Sequence, residues 1–222
     1  MAKEKILTLN QERVLDLFAK EKYLLDNFYF TGGTPLSAFY LQHRLSEDLD
    51  FFSGKGEIHL PSIERFIGKL QIKLRLKKVD YIRYLGLHTF HLFFAEDNSL
   101  KVDFNYYPFE RIEKGIRYKN IIVDSLYDIA VNKVHTISMR VRARDFIDIF
   151  FILKQQNWTF EKLLAEARVK FDWPINPVML GRQLMKATGV KDFPRMIKPI
   201  DHREWQDFFI KQAKKLKNQI FE

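Results

Sequence analysis

Asp48 and Asp50 stand two residues apart in the stretch Arg44-Leu45-Ser46-Glu47-Asp48-Leu49-Asp50-Phe51-Phe52. If Asp48 to Phe52 is a strand, residues i and i+2 point to the same face. Two carboxylates then project together from one sheet. Like charges that close are costly unless a cation neutralises them. Carboxylate oxygens suit magnesium, which in turn grips phosphates. The pair therefore points at metal-assisted phosphate chemistry. Gly32-Gly33 lies about a helix length upstream. Backbone N–H groups at a glycine turn can cradle a phosphate with no side chain in the way. A lone Gly-Gly also reads as a plain tight turn. Its weight comes from Ser46, Asp48 and Asp50 downstream.

A third acid appears in Lys101-Val102-Asp103-Phe104-Asn105. Alternation puts Lys101, Asp103 and Asn105 on one face, with Val102 and Phe104 on the other. Taken alone, this is the solvated face of a half-exposed sheet. Beside an aspartate pair, it is what a two-metal phosphoryl-transfer site uses, with metals about 4 Å apart. A third carboxylate can also act as base for an incoming hydroxyl.

Two further stretches carry charge. In Asp128-Ile129-Ala130-Val131-Asn132-Lys133 the acid and the lysine are five apart, so they are not a simple i,i+4 pair. Lys133 can reach a phosphate as a point charge, or it can simply be solvated. In Arg140-Val141-Arg142-Ala143-Arg144-Asp145-Phe146-Ile147-Asp148, Asp145 and Asp148 share a helical face. The i,i+4 spacing of Arg144 and Asp148 suggests a surface ion pair. The arginines suit phosphates or RNA, or the neutralisation of their acidic neighbours. The six histidines show no metal spacing, and His43 reads as a satisfied structural histidine.

The elements that must hold these residues are partly legible. Asn10 to Asn27 carries Val14, Leu17, Phe18, Leu24 and Leu25 at helical spacing. Phe28 to Thr31 is a short β-prone run broken by Gly32-Gly33. Thr34 as cap and Pro35 at the first helical position start a short helix over Leu36 to His43. Pro61 to Lys77 reads as helix. Val79 to Leu85, Leu87 to Ala95 and Leu100 to Tyr106 read as strands, with a turn at Glu96 to Ser99. Helices are expected over Ser125 to Ile137, Arg144 to Lys154, Phe160 to Lys170, Val178 to Thr188 and His202 to Ile220. The last has a buried stripe of Trp205, Phe208, Phe209 and Leu216, with Lys211, Lys214, Lys215 and Lys217 mostly outside. The fold class is α+β: a mixed sheet in the first half and helices in the second. A weak boundary near Gln156 divides 1–155 from a helical part, 156–222, packed on it.

With 222 residues, 46% of them hydrophobic, and 21 phenylalanines, the chain can build a sizeable core. The formal net charge of +9 suits an anionic partner. The absence of cysteine excludes disulfides, thiolate metal sites and a cysteine nucleophile. The opening Met1-Ala2-Lys3-Glu4-Lys5 lacks an apolar signal core, and no run reaches membrane-spanning length. The expectation is a soluble cytoplasmic protein.

Gly32-Gly33-Thr34-Pro35-Leu36 followed by Arg44 to Phe52 resembles the first motif of the AbiEii/AbiGii toxin family, within the nucleotidyltransferase superfamily. Asp128 to Lys133 is similar to its Asp-x-x-x-x-Lys motif, and Arg144 to Asp148 resembles the acidic motif that follows. The resemblance covers roughly Phe28 to Leu153. Pro35 departs from the small helix former common in the group, in a place where proline fits a helix start. The resemblance implies a small mixed sheet flanked by helices and nucleotidyl transfer from an NTP, dependent on magnesium or on manganese in its place. It implies that Gly32, Gly33 and Ser46 hold phosphates and that Asp48 and Asp50 hold metal. Arg44 would orient or bind a phosphate and Lys133 would contact nucleotide phosphate. Asp128 and one of Asp145 or Asp148 would complete the site, and Asp103 matches the third acid of the wider superfamily. RNA, tRNA in particular, is the implied acceptor, and an antitoxin the implied protein partner. The alternatives are transfer to a protein or small molecule, or a non-catalytic nucleotide- or RNA-binding module on the same scaffold.

Overall fold

A computed structural model describes residues 6–95 and 98–216. The N-terminal pentapeptide, Glu96-Asp97 of the expected turn, and the end of the last expected helix with Lys217 lie outside the described residues. Contacts divide the chain into two compact units. The first comprises Met1–Tyr40 and Ser46–Ser125. The second comprises Leu41–Leu45 and Leu126–Glu222.

The first unit is built on a mixed sheet. Helices α1 (Leu9–Phe18) and α2 (Lys22–Asn27) lead into β1 (Tyr29–Thr31). The expected single helix over 10–27 is two, because Glu21 adopts an extended backbone between them. Thr8 caps α1: its hydroxyl accepts from the Gln11 N–H, and the Gln11 side chain accepts from the Thr8 N–H. After β1 come a helical turn, α3 (Gly33–Pro35), and a π-helical stretch, Leu36–Leu41. The remaining elements are β2 (Asp48–Ser53), α4 (Leu60–Lys73), β3 (Lys78–Tyr84), β4 (Leu87–Phe93), β5 (Ser99–Tyr106), β6 (Ile116–Tyr118) and β7 (Ile121–Val123). The strand order is β3-β4-β5-β2-β1-β7-β6.

Alternation decides which side chains reach the core. Along β2, Leu49, Phe51 and Ser53 are buried while Asp48, Asp50 and Phe52 are half-exposed. Phe30, Phe51, Val102 and Phe104 join one core with Val14 and Phe18 of α1 and Ile63 and Phe66 of α4. Phe18 stacks on Phe51 with ring centroids 4.1 Å apart. These helices therefore take one face of the sheet. The other face is left to the polar row of β2 and β5.

The second unit is helical: α5 (Leu126–Met139), α6 (Ala143–Gln155), α7 (Phe160–Lys170), α8 (Pro177–Met185) and α9 (His202–Lys215). Phe146 of α6 packs on Phe209 and Trp205 of α9, at 4.7 and 5.9 Å between ring centroids. The short segment Leu41–Leu45 joins these helices through backbone pairing. Leu45 N–H donates to Arg195 O at 2.8 Å, and Ile197 N–H donates to His43 O at 2.9 Å. Gln42, the second residue of this segment, has φ of 51°. No helix among the described residues is long and apolar enough to cross a membrane.

Candidate active site

The carboxylate cluster of the first unit rests on strand register. β2 and β5 run parallel, with Asp48 opposite Lys101 and Asp50 opposite Asp103. All four side chains lie on the face away from the α1 and α4 core. The sheet thus places Asp103 beside Asp50, although 53 residues separate them in the chain. Lys101 is the residue whose role alternation alone does not disclose. Its ammonium lies 3.3 Å from Asp48 Oδ2 and donates to Asp103 Oδ2. Burial disfavours its charge, but Asp50, Asp103 and Asp48 outweigh that and hold it protonated above the usual lysine range. Asp103 Oδ1 is buried and meets no donor.

The glycine turn closes on the same cluster. Gly32 has φ of 85°. A Cβ there would collide with the Asp50 carboxylate. Glycine is needed both for the left-handed backbone and for the close approach. The Thr34 hydroxyl donates to the Asp48 carbonyl, tying the turn to β2. Gln11 Nε2 donates to Ser46 O at 2.9 Å and fixes the chain just before β2. Beside β1, the Thr31 hydroxyl donates to Asp124 Oδ2 at 2.8 Å, and Tyr40 donates to Asp124 O at 2.8 Å. Burial, aided by Asp124, pushes the Tyr40 phenol up to about 12. Asp124 is fully buried and was not singled out by the sequence, where it is an isolated acid beside Ser125.

Three carboxylates on adjacent strands, one with an unmet buried oxygen, carry the oxygen chemistry that a hard divalent cation takes. As they stand, no three acidic or histidine side chains among the described residues are gathered closely enough to cage a metal. The positive charge at this place is the Lys101 ammonium.

The second unit holds its own charge network. Arg44 grips Asp148 through two bonds, Nε to Oδ1 at 2.7 Å and Nη2 to Oδ2 at 2.8 Å. Lys133 Nζ lies 2.7 Å from both Asp145 Oδ1 and Asp148 Oδ2. Asp148 is therefore not the surface partner of Arg144 that the i,i+4 spacing suggests. Burial opposes its charge, but Arg44 and Lys133 overcome this and hold its carboxyl well below the usual range. Burial likewise opposes the Lys133 charge, and Asp145 and Asp148 outweigh it. His43 Nε2 lies 2.6 Å from Asp148 Oδ1. Burial depresses the His43 pKa despite that carboxylate. The ring is therefore neutral, and the contact is a hydrogen bond donated by Nε2–H. Asp128 is paired with Lys170, Nζ to Oδ1 at 2.7 Å, a partner that sequence spacing does not suggest.

A family model described as "Nucleotidyl transferase AbiEii toxin, Type IV TA system" matches residues 15–219. An uncharacterised protein of Aquifex aeolicus (strain VF5) is 27% identical over 150 residues, covering 67% of this chain and 68% of that protein. Among solved structures, JHP933 from Helicobacter pylori matches with a TM-score of 0.60 and 21% identity, over 96% of this chain and 94% of that one. MenT4, a nucleotidyltransferase toxin from Mycobacterium tuberculosis H37Rv, matches with a TM-score of 0.52 and 14% identity, over 95% and 86%. At these identities the structural likeness establishes the fold.

Proposed function

The chain belongs to the AbiEii nucleotidyl transferase toxin family and is a nucleotidyltransferase, and from that premise we propose that it transfers NMP from an NTP to an RNA acceptor, tRNA in particular, with magnesium, as the toxin of a toxin–antitoxin pair in the cytoplasm. The observation that carries the reading is the register of β2 and β5, which sets Asp50 beside Asp103 and Asp48 beside Lys101. Asp48, Asp50 and Asp103 would hold magnesium or manganese. When bound, the ion would offset phosphate charge and favour departure of pyrophosphate.

The chain's own groups do the rest. Gly32 lets the Asp50 carboxylate pack against its backbone, and the backbone N–H groups of the Gly32-Gly33 turn are suited to a phosphate. Asp103, with one oxygen unmet, is suited to take the proton of the attacking hydroxyl. In the second unit, Lys133 is preorganised by Asp145 and Asp148, and Arg44 by Asp148. Lys133 is the cation there suited to a phosphate. The net charge of +9 fits a polyanionic acceptor. The test is thermal stability with magnesium plus each NTP, for wild type beside Asp48→Asn. Stabilisation of the wild type alone is expected. Equal stabilisation of both would remove Asp48 from the metal set.

A further inference from the structure

Strand β4 carries the carboxylate face one strand beyond Asp103. It runs antiparallel to β5, with Thr89 opposite Asp103 and His91 opposite Lys101. Directly opposite residues share a face, with Cβ atoms about 4.5–5.5 Å apart. Alternation agrees: His88, Phe90 and Leu92 are buried, while Thr89 and His91 between them are half-buried. His88, on the core face, is met by the Tyr81 hydroxyl at 2.8 Å. Asp80, opposite His91 on β3, is taken by Lys78 at 2.8 Å. Thr89 and His91 are committed to nothing. Among the described residues neither side chain makes a hydrogen bond, and neither has an unmet polar atom sealed from solvent. Their polar atoms face water and are open to a ligand.

The sheet order says which ligand. The Gly32-Gly33 turn follows β1, and β1 flanks β2 on the side away from β5. A triphosphate at that turn lies over β1 and β2 and releases its pyrophosphate there. In phosphoryl transfer the attacking and leaving oxygens stand roughly in line across the phosphorus. The attacking hydroxyl therefore arrives from the opposite side, over β5 and β4.

We propose that Thr89 and His91 bind the terminal nucleotide of the acceptor: the Thr89 hydroxyl hydrogen-bonds the ribose hydroxyl next to the attacking one, and a His91 ring N–H donates to that nucleotide's phosphate. The attacking oxygen bonds to the α-phosphorus, its proton passes to Asp103, and pyrophosphate leaves. Thr89, directly across from Asp103, then stands beside the neighbouring hydroxyl. His91 lies two residues on, about 6.6–7 Å along β4. A protein that reads this second hydroxyl tells a ribose end from a deoxyribose end. The inference rests on RNA being the acceptor and names the residues that select and place its end.

The test uses the full chain, magnesium, α-labelled NTP and tRNA whose terminal ribose is intact, 2′-deoxy or 3′-deoxy. The variants are Thr89→Val, which keeps the branched shape, and His91→Phe, which keeps a ring. Removing the attacked hydroxyl abolishes labelling. Removing the other is expected to raise the wild-type KM for tRNA about 10-fold. In Thr89→Val that removal is expected to change nothing, because KM is already raised on intact tRNA. His91→Phe is expected to raise KM about 10-fold on every tRNA that takes label. KM for the NTP and melting temperature are expected to stay as in wild type. A wild-type KM for tRNA in both variants, with labelling intact, overturns the subsite and leaves the RNA reading standing. An equal rise in KM for the NTP also overturns it, by moving the two residues to the nucleotide. A wild type that labels no RNA overturns both.

Discussion

Lys101→Met tests the electrostatics of the carboxylate cluster most sharply. The wild-type ammonium serves Asp48, Asp50 and Asp103 together. The Lys101 and Asp48 side chains are 29% and 26% exposed, and that of Asp103 is 10% exposed. For such partly screened pairs at an effective dielectric of about 20, one charge pair 4 Å apart is worth about 4 kcal/mol before desolvation. The desolvation of Lys101 returns part of this. Replacement also leaves the carboxylates repelling one another. The side chains are partly exposed, so the net cost in the absence of divalent cations falls between that of an exposed pair and that of a broken buried pair, at about 2–3 kcal/mol. For a chain of this size that corresponds to a fall in melting temperature of roughly 4–12 °C. Methionine keeps the stem packing, so the loss reads charge. Millimolar magnesium should then restore much of the loss, because a cation that binds only the folded state stabilises it by mass action. Wild type should gain less, since its lysine already holds the place. Calorimetry at neutral pH, in chelator and in magnesium, measures both. Equal melting of wild type and variant in chelator, or equal gains in magnesium, would refute the reasoning.

Gly32→Ala should cost about 1–3 kcal/mol through its left-handed backbone, and should lower transfer roughly 100-fold by displacing Asp50. Denaturant unfolding and initial rates check the two effects. Asp148→Asn removes the buried partner of Arg44 and Lys133 and should destabilise by about 3–5 kcal/mol, read by the denaturation midpoint. Burial lowers the pKa values of His43, His88 and His135 in the folded state. The unfolded chain therefore binds more protons near its histidine pKa of about 6.5. Their contribution is present above that pH and is lost as pH falls through 6.5 toward the folded values. Melting temperature should drop between about pH 7 and pH 5. His43→Gln, which can still donate to Asp148, should flatten part of the drop.

The contrast between Asp50 and Lys101 shows what the sequence discloses. The i,i+2 spacing of Asp48 and Asp50, the alternation around Asp103, and the Gly32-Gly33 break are local signals, and strands β2 and β5 form where those signals place them. The pairing of Lys101 with Asp103 follows from local alternation, but its approach to Asp48 and Asp50 comes from a parallel register between strands half a hundred residues apart, which no local pattern encodes. Arg44 is similar. Its segment, Leu41–Leu45, belongs with helices that begin more than 80 residues later. The grip of Arg44 on Asp148 follows from that long-range packing, which the local i,i+4 spacing of Arg144 and Asp148 does not reveal. Helix α1 ends at Phe18, and the extended Glu21 begins a separate α2, although apolar spacing runs on to Leu25. The β6–β7 hairpin leaves no pattern in the sequence, because its strands have three residues each, too few to show alternation. Helices α6 and α7 lie within one residue of their expected bounds, whereas α4, although clearly striped, ends at Lys73, short of the expected Lys77.

The most direct measurement of the account is transfer itself. Wild type and Asp50→Asn are incubated with total RNA, magnesium and each α-labelled NTP in turn. The account predicts label in RNA with the wild type and none with the variant, for at least one NTP. Equal labelling by both proteins would remove Asp50 from the chemistry. Absence of label with the wild type, while it still binds NTP, would contradict RNA as the acceptor.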